Sequence, residues 1–90
     1  MHMEIVWNPN KAATNLRKHG VSFEEAATAL LDPMALAHED EDSDDEPRWV
    51  LVGMSAHPRL LTVVYTLRGE ETIRLISARR ATREEGEYYA

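Results

Sequence analysis

The chain has 90 residues, a formal net charge of −6 and no cysteine. A chain of this length supports one hydrophobic core, so we predict a single domain over residues 1–90 without a second catalytic domain. The lack of cysteine excludes disulfides and thiol chemistry. No apolar run approaches the roughly 20 residues that span a bilayer, and the first residues lack a signal-peptide pattern, which predicts a soluble, cytoplasmic protein.

The negative charge is concentrated in one stretch of the chain. Seven of the sixteen acidic residues lie in HEDEDSDDEP, residues 38–47. The remaining nine acidic residues are balanced by ten lysines and arginines, so a basic surface can exist on this acidic protein. The acidic side chains repel one another, and the stretch lacks apolar residues that could anchor it to the core. These two features predict a mobile acidic loop over residues 39–47. The acidic composition therefore does not exclude RNA as a substrate.

A strand followed by a helix is predicted at the start of the chain. The apolar run MEIVW indicates a strand over residues 3–7. Asn8 suits the helix N-cap and Pro9 the first helical position, and Gly20 ends the helix after residues 9–18.

A second helix follows, over residues 22–31. Ser22 and Glu25 have the spacing of a capping box, and Pro33 prevents the helix from continuing. The run MALAHE, residues 34–39, permits a short edge strand before the acidic stretch.

Three further runs have the composition of strands, at residues 48–55, 60–67 and 71–79. The linkers between them are too short for helical crossovers, so the three strands are predicted to form an antiparallel meander. Thr82 then caps a final helix. The predicted class is α+β, with helices packed against an antiparallel sheet in the order β-α-α-(β)-β-β-β-α.

Arginines at the last predicted strand form one candidate site. Strict alternation places Arg74 on one face of this strand and Arg79 on the other. A buried guanidinium needs a carboxylate, a carbonyl or a phosphate as its partner. Arg74 therefore either pairs internally, with Glu25, Glu84 or Glu85, or borders an anion site. We expect Arg79 and Arg80 to be exposed and to bind ligand, and Arg48 also lies at a strand end.

Other chemistries lack support in the sequence. The histidines do not show the spacing of a helical metal site, and the acidic stretch lacks the glycine and the closing glutamate of a calcium loop. The serines lack a nucleophile elbow, and the four glycines are scattered rather than clustered in a phosphate-binding loop. No metal or cofactor is expected.

Three stretches resemble the BrnT toxins of bacterial type II toxin–antitoxin modules: WNPNKAATNLRKHGVSFEEA, RWVLVG and RLISARRATREE. The resemblance covers nearly the whole chain outside the acidic stretch, although Asn8 replaces the usual aspartate. It implies a compact RelE-like ribonuclease that needs no metal and inhibits growth or translation by cleaving RNA. It also implies a BrnA-like ribbon-helix-helix antitoxin as partner. The resemblance further implies that the protein contacts DNA only indirectly, through this antitoxin.

Metal-independent cleavage of RNA needs a base, a cation beside the phosphate and an acid. His19 is the histidine within the motif that carries the resemblance, and histidine is the residue type suited to proton transfer at neutral pH. We consider that Glu25 or Tyr65 shapes the site. The predicted catalytic residues are His19, Lys18, Arg48, Arg79 and Arg80, and the predicted substrate-binding residues are Arg74, Tyr65 and Lys11.

Two alternatives remain open at this point. Arg17, Lys18 and His19 lie at the end of the first helix, where cations stabilise the helix dipole by about 0.3–1 kcal/mol without any role in catalysis. The protein could also act as a non-catalytic subunit that binds a ribbon-helix-helix partner as a corepressor, or as a small scaffold with neither role.

Overall fold

The computed structural model describes residues 3–42 and 46–89. The predicted α+β class and order of elements are confirmed, including the short strand before the acidic stretch. Within these residues no helix is long and apolar enough to cross a membrane. In chain order the elements are β1 (Glu4–Val6), α1 (Pro9–His19), α2 (Phe23–Ala29), β2 (Leu36–Asp40), β3 (Arg48–Met54), β4 (Leu60–Arg68), β5 (Thr72–Arg80) and α3 (Arg83–Tyr88).

The strands form one mixed sheet in the order β1-β5-β4-β3-β2. The meander of β3, β4 and β5 is antiparallel, as predicted, and β2 adds to it antiparallel to β3. By contrast, β1 pairs parallel to β5, with Val6 opposite Arg74. The chain between these two parallel strands includes α1, α2, β2, β3 and β4, which is long enough for the crossover that parallel pairing requires.

The acidic stretch begins inside a strand. Glu39 and Asp40 belong to β2 and pair with the first residues of β3. The predicted loop over residues 39–47 is therefore wrong at its first two positions, because ladder hydrogen bonds with β3 hold the backbone while the charged side chains stay near solvent. A turn follows at residues 41–42. The rest of the predicted loop includes residues 43–45, which lie outside the described residues.

The core lies between one face of the sheet and the helices α1 and α2. Phe23 is fully buried and packs edge-to-face on Trp7, with ring centroids 6.0 Å apart. Gly53 lets α2 approach the sheet, because a Cβ there would lie 2.8 Å from the carbonyl oxygen of Ala29. The other buried apolar residues of the cluster are Val21, Ala26, Ala29, Leu51, Leu61, Val63, Tyr65, Leu75 and Ala78.

Local capping explains where the helices begin and end. The Asn8 side chain accepts hydrogen bonds from two N–H groups of the first turn of α1, and Gly20 ends that helix with a left-handed φ of 69°. Ser22 accepts from the Glu25 N–H at 3.0 Å. The predicted capping box of α2 is only half formed, because the Glu25 side chain bonds elsewhere. At α3, Thr82 and Glu85 form both bonds of a capping box.

The helix α1 continues along β5 where β1 stops. β1 pairs only with the first three residues of β5. Further along, the Asn15 amide donates to the Ala78 carbonyl at 2.8 Å and accepts from the Ala78 N–H at 3.1 Å. The side chain thus replaces the ladder bonds of a neighbouring strand and fixes α1 beside the edge of β5.

Candidate functional site

A β-bulge in β5 changes which of its side chains share a face. The pairing of β4 with β5 skips Ile76, so the strict alternation predicted from the sequence fails at this residue. Leu75 and Ala78 are both fully buried in the core. Arg74 and Arg79, predicted on opposite faces, therefore lie together on the face of the sheet away from α1 and α2, which we call the open face.

Two arginines flank Thr66 on the open face. Arg48 of β3 and Arg74 of β5 are the direct partners of Thr66 of β4, and such partners have Cβ atoms about 4.5–5.5 Å apart. Thr66 is fully buried, and its hydroxyl oxygen has no hydrogen-bond partner among the described residues. We call these three residues the arginine row.

The arginine row has one carboxylate neighbour in the sheet register. Arg48 is exposed and Arg74 is half-buried. Asp40 of β2 is the direct cross-strand partner of Arg48. Arg59, Arg68 and Arg79 each pair with a glutamate, whereas within the described ranges no glutamate forms a salt bridge with Arg48 or Arg74. Adjacent guanidinium groups present planar arrays of donors that match the oxygens of a phosphate. The arginine row can therefore bind an anion.

Arg79 is paired internally, which corrects the expectation that it is available to ligand. Its two terminal nitrogens each donate to an oxygen of Glu85 at 2.8 Å. Hydrogen bonding from Arg79 lowers the pKa of Glu85 to about 2. The pairing with Glu85 considered for Arg74 is thus made by Arg79, while Arg80 is exposed at the end of β5 as expected.

Tyr65 belongs to the core rather than to a binding surface. It is 8% exposed and packs on the face covered by the helices, and burial raises the pKa of its hydroxyl group. The predicted contact between Tyr65 and substrate does not fit this placement, because the arginine row lies on the other face of the sheet.

The remaining predicted residues come together in a different place. Lys11, Lys18 and His19 line a cleft of about 340 Å³ between α1 and β5, together with Ser77. The predicted site residues are therefore divided between this cleft, the arginine row, an internal ion pair, the core and, for Arg80, the exposed end of β5. Their grouping depends on how α1 lies along β5, and their roles stay predictions.

His38 was not among the site residues predicted from the sequence, and it lies on the open face. It pairs with Val50 of β3, two residues from Arg48, so its side chain is a diagonal neighbour of Arg48 at about 7–8 Å. The alternation of residues along the short strand before the acidic stretch was the sequence signal that could have placed His38 on this face. His38 is exposed on the same face as Arg48.

Glu25, considered as a residue that shapes the site, holds elements of the fold together. Its carboxylate accepts from Arg59 at 2.7 and 2.6 Å and from the Ser55 hydroxyl at 2.7 Å. Hydrogen bonding from Arg59 outweighs the opposing effect of burial and lowers the Glu25 pKa to about 2. These bonds connect α2 to the β3–β4 turn, away from the arginine row.

The described residues do not form a cluster of three or more histidine or acidic side chains that could hold a metal ion. Fold and site thus define a small α+β protein whose open sheet face carries cations suited to a phosphate-containing ligand.

The comparisons with known proteins identify the family. The family model for the ribonuclease toxin BrnT of type II toxin–antitoxin systems matches residues 7–85. The chain therefore belongs to the BrnT family of ribonuclease toxins, as its sequence motifs indicated, and this membership implies an RNA substrate and an antitoxin partner.

A solved structure shows the same fold. The chain is similar to the 1.1 Å crystal structure of the Brucella abortus ribonuclease toxin BrnT, with a TM-score of 0.71 and 25% sequence identity. The similarity covers 90% of this chain and 99% of that chain. No curated protein matches the chain significantly.

Proposed function

We propose that this protein is a metal-independent endoribonuclease of the cytoplasm that inhibits growth by cleaving RNA, with the scissile phosphate bound at the arginine row. The observation that carries this proposal is the placement of Arg48 and Arg74 on either side of Thr66 on the open face. Arg59, Arg68 and Arg79 each pair with a glutamate, whereas among the described residues no glutamate forms a salt bridge with Arg48 or Arg74. A phosphodiester would supply a negatively charged partner for both guanidinium groups.

The chemistry follows from what RNA itself provides. The 2′-oxygen attacks the adjacent phosphorus, a new 2′-O–P bond forms, and the bond from phosphorus to the 5′-oxygen breaks. The base takes the proton of the 2′-hydroxyl, and an acid returns a proton to the leaving oxygen. Negative charge grows on the phosphate oxygens during this step, and Arg48 and Arg74 stabilise it by hydrogen bonds that are in place beforehand. The nucleophile belongs to the substrate, so the reaction does not require a metal-activated water.

His38 is our candidate for the base. It is a diagonal neighbour of Arg48 on the open face, whereas His19 lies at the far end of α1, beyond the contact of Asn15 with Ala78. Ala78 is four residues from Arg74, roughly 13 Å along a strand. The catalytic assignment of His19 made from the sequence stays a prediction, and separate substitution of the two histidines tests it.

Cleavage of a defined RNA by the purified protein tests the function. We expect cleavage in the presence of EDTA, a 2′,3′-cyclic phosphate on the product, and no cleavage when the nucleotide at the scissile bond is 2′-deoxy. Arg48→Gln should slow cleavage about 100-fold to 1000-fold and relieve growth arrest, whereas Arg83→Gln, an equal loss of charge at an exposed residue of α3, should retain both. Growth arrest with intact RNA, or the absence of both, would favour the non-catalytic corepressor instead.

We further propose that the antitoxin is BrnA-like and binds at β2, the outer strand of the sheet. Near this edge Met34, Leu36 and Met54 are 54%, 46% and 36% exposed. Glu39 continues the strand with negative charge, which suits a basic partner, and an unpaired strand edge can accept a strand from another chain. The acidic edge disfavours direct contact with DNA, so the partner would bind the operator.

A further inference from the structure

The chain has two lysines, Lys11 and Lys18, and both line the cleft between α1 and β5. His19, Thr14 and Ser77 supply further polar groups to its wall. No aspartate or glutamate lines it, and neither lysine pairs with a carboxylate of residues 3–42 or 46–89. Ammonium groups left without carboxylates in an acidic protein mark a surface that attracts anions.

The spacing of the lysines is built into α1. Lys11 and Lys18 are seven residues apart, two turns of the helix, so they lie on the same side. Asn15 lies between them in sequence and is buried against Ala78. The contact of Asn15 with the edge of β5 therefore places both lysines, which are exposed, along the rim of the cleft.

The near wall of the cleft lies within roughly 10 Å of the arginine row along β5. Ser77 lines the cleft and is three residues beyond Arg74 in β5, a distance of roughly 10 Å along a strand. β1 runs parallel to β5 and leads into α1, so Lys11, near the start of α1, lies closer to Arg74 than Lys18 does. A few nucleotides of an extended single strand can cover the path from the arginine row to the lysines.

We propose that this cleft is a second phosphate subsite, which binds a backbone phosphate of the RNA that flanks the scissile one. This inference rests on the proposed function, since it takes the arginine row as the place of cleavage. The subsite contributes affinity and position through Lys11 and Lys18, and it takes no part in bond breaking. A substrate with a single phosphate would occupy the arginine row alone.

Binding of non-cleavable oligonucleotides of two lengths tests the subsite. The probes are a dinucleotide and a hexanucleotide, each 2′-O-methylated throughout, and the proteins are wild type, Lys11→Gln/Lys18→Gln and the control Arg83→Gln. We expect the double variant to bind the hexanucleotide about 10-fold or more weakly than wild type and the dinucleotide with unchanged affinity. The slope of log K against log salt concentration for the hexanucleotide should become shallower by about 1.4, which is about 0.7 for each lost phosphate contact. Arg83→Gln should match wild type.

Each other outcome has a defined meaning. Equal weakening of both probes, or no weakening of either, would overturn the subsite. If wild type cleaves RNA and loses activity with Arg48→Gln while the lysine variant binds normally, the subsite fails and the proposed function stands. If the lysines increase affinity for the hexanucleotide but no RNA is cleaved, the proposed function fails and the anion-binding cleft stands. Circular dichroism of each variant confirms that the fold is intact.

Discussion

The guanidinium of Arg59 holds the carboxylate of Glu25 in a two-point contact, with N–O distances of 2.7 and 2.6 Å. The glutamate side chain is 5% exposed, whereas the arginine is 29% exposed. Arg59 also donates to the Gly20 carbonyl at 3.1 Å. A buried charge on α2 is thus tied to the β3–β4 turn and to the end of α1, so the placement of both helices on the sheet depends on this pair.

We expect Arg59→Met to lower the melting temperature by at least about 5 °C, because the Glu25 carboxylate then stays buried with only Ser55 as its side-chain partner. The double variant Glu25→Gln/Arg59→Met should recover part of that loss, since it also removes the unpaired charge. Thermal unfolding monitored by circular dichroism measures both. A melting temperature of Arg59→Met equal to that of wild type would show that the pair does not stabilise the fold.

Stability should depend on pH through two carboxylates. The pKa values of Glu25 and Glu85 fall from the usual 4.5 to about 2 in the folded protein. A group whose pKa is lowered on folding stabilises the protein fully above its unfolded pKa and loses that contribution as the pH falls towards the folded value. We therefore expect the free energy of unfolding to decrease between pH 4.5 and pH 2. In Glu25→Gln/Glu85→Gln this decrease should be shallower, and an unchanged slope in chemical denaturation would contradict the account.

Much of the fold followed from local signals in the sequence. Asn8, Gly20 and Thr82 marked helix ends correctly because capping depends on a few neighbouring residues. The parallel pairing of β1 with β5 had no such signal, because its two strands are more than sixty residues apart in the chain. The predicted end of α2 at residue 31 was two residues too late, since the helix ends at Ala29 with Leu30 as its C-cap.

The site was less predictable than the fold for a specific physical reason. The bulge at Ile76 moves Arg79 onto the same face as Arg74, and strict alternation cannot reveal a residue that drops out of register. On this face Arg79 forms a salt bridge with Glu85 of α3. Its guanidinium group, predicted from the sequence to bind ligand, is therefore already paired. His38 was missed because its strand is short and merges with an acidic stretch.

The two histidines should differ in their effect on catalysis. If His38 moves the proton, His38→Gln should lower the cleavage rate about 100-fold or more and change the shape of the pH–rate profile, while affinity for RNA changes little. His19→Gln should leave the rate at saturating RNA within a few-fold of wild type. The measurement is a pH–rate profile at saturating substrate. The reverse result would restore the assignment of His19 as base.

The proposed antitoxin surface can be separated from the nuclease site. Leu36→Glu places a charge on the exposed apolar residues beside β2, so we expect it to weaken antitoxin binding at least about 10-fold without a change in RNA cleavage. Leu67→Glu is a matched control, because Leu67 is 48% exposed on β4, outside the β2 edge. Isothermal titration with the purified antitoxin measures both. Equal affinities for the two variants would place the interface elsewhere.

The most direct test is a double-mutant cycle of single-turnover RNA cleavage with Arg48→Gln, Arg74→Gln and the double variant. If the two guanidinium groups stabilise one phosphate, each single substitution should slow cleavage about 100-fold to 1000-fold. The double variant should then be hardly slower than the slower single variant, because the two groups act as a unit. Wild-type rates in both single variants, with the fold intact, would contradict the assignment of the scissile phosphate to the arginine row.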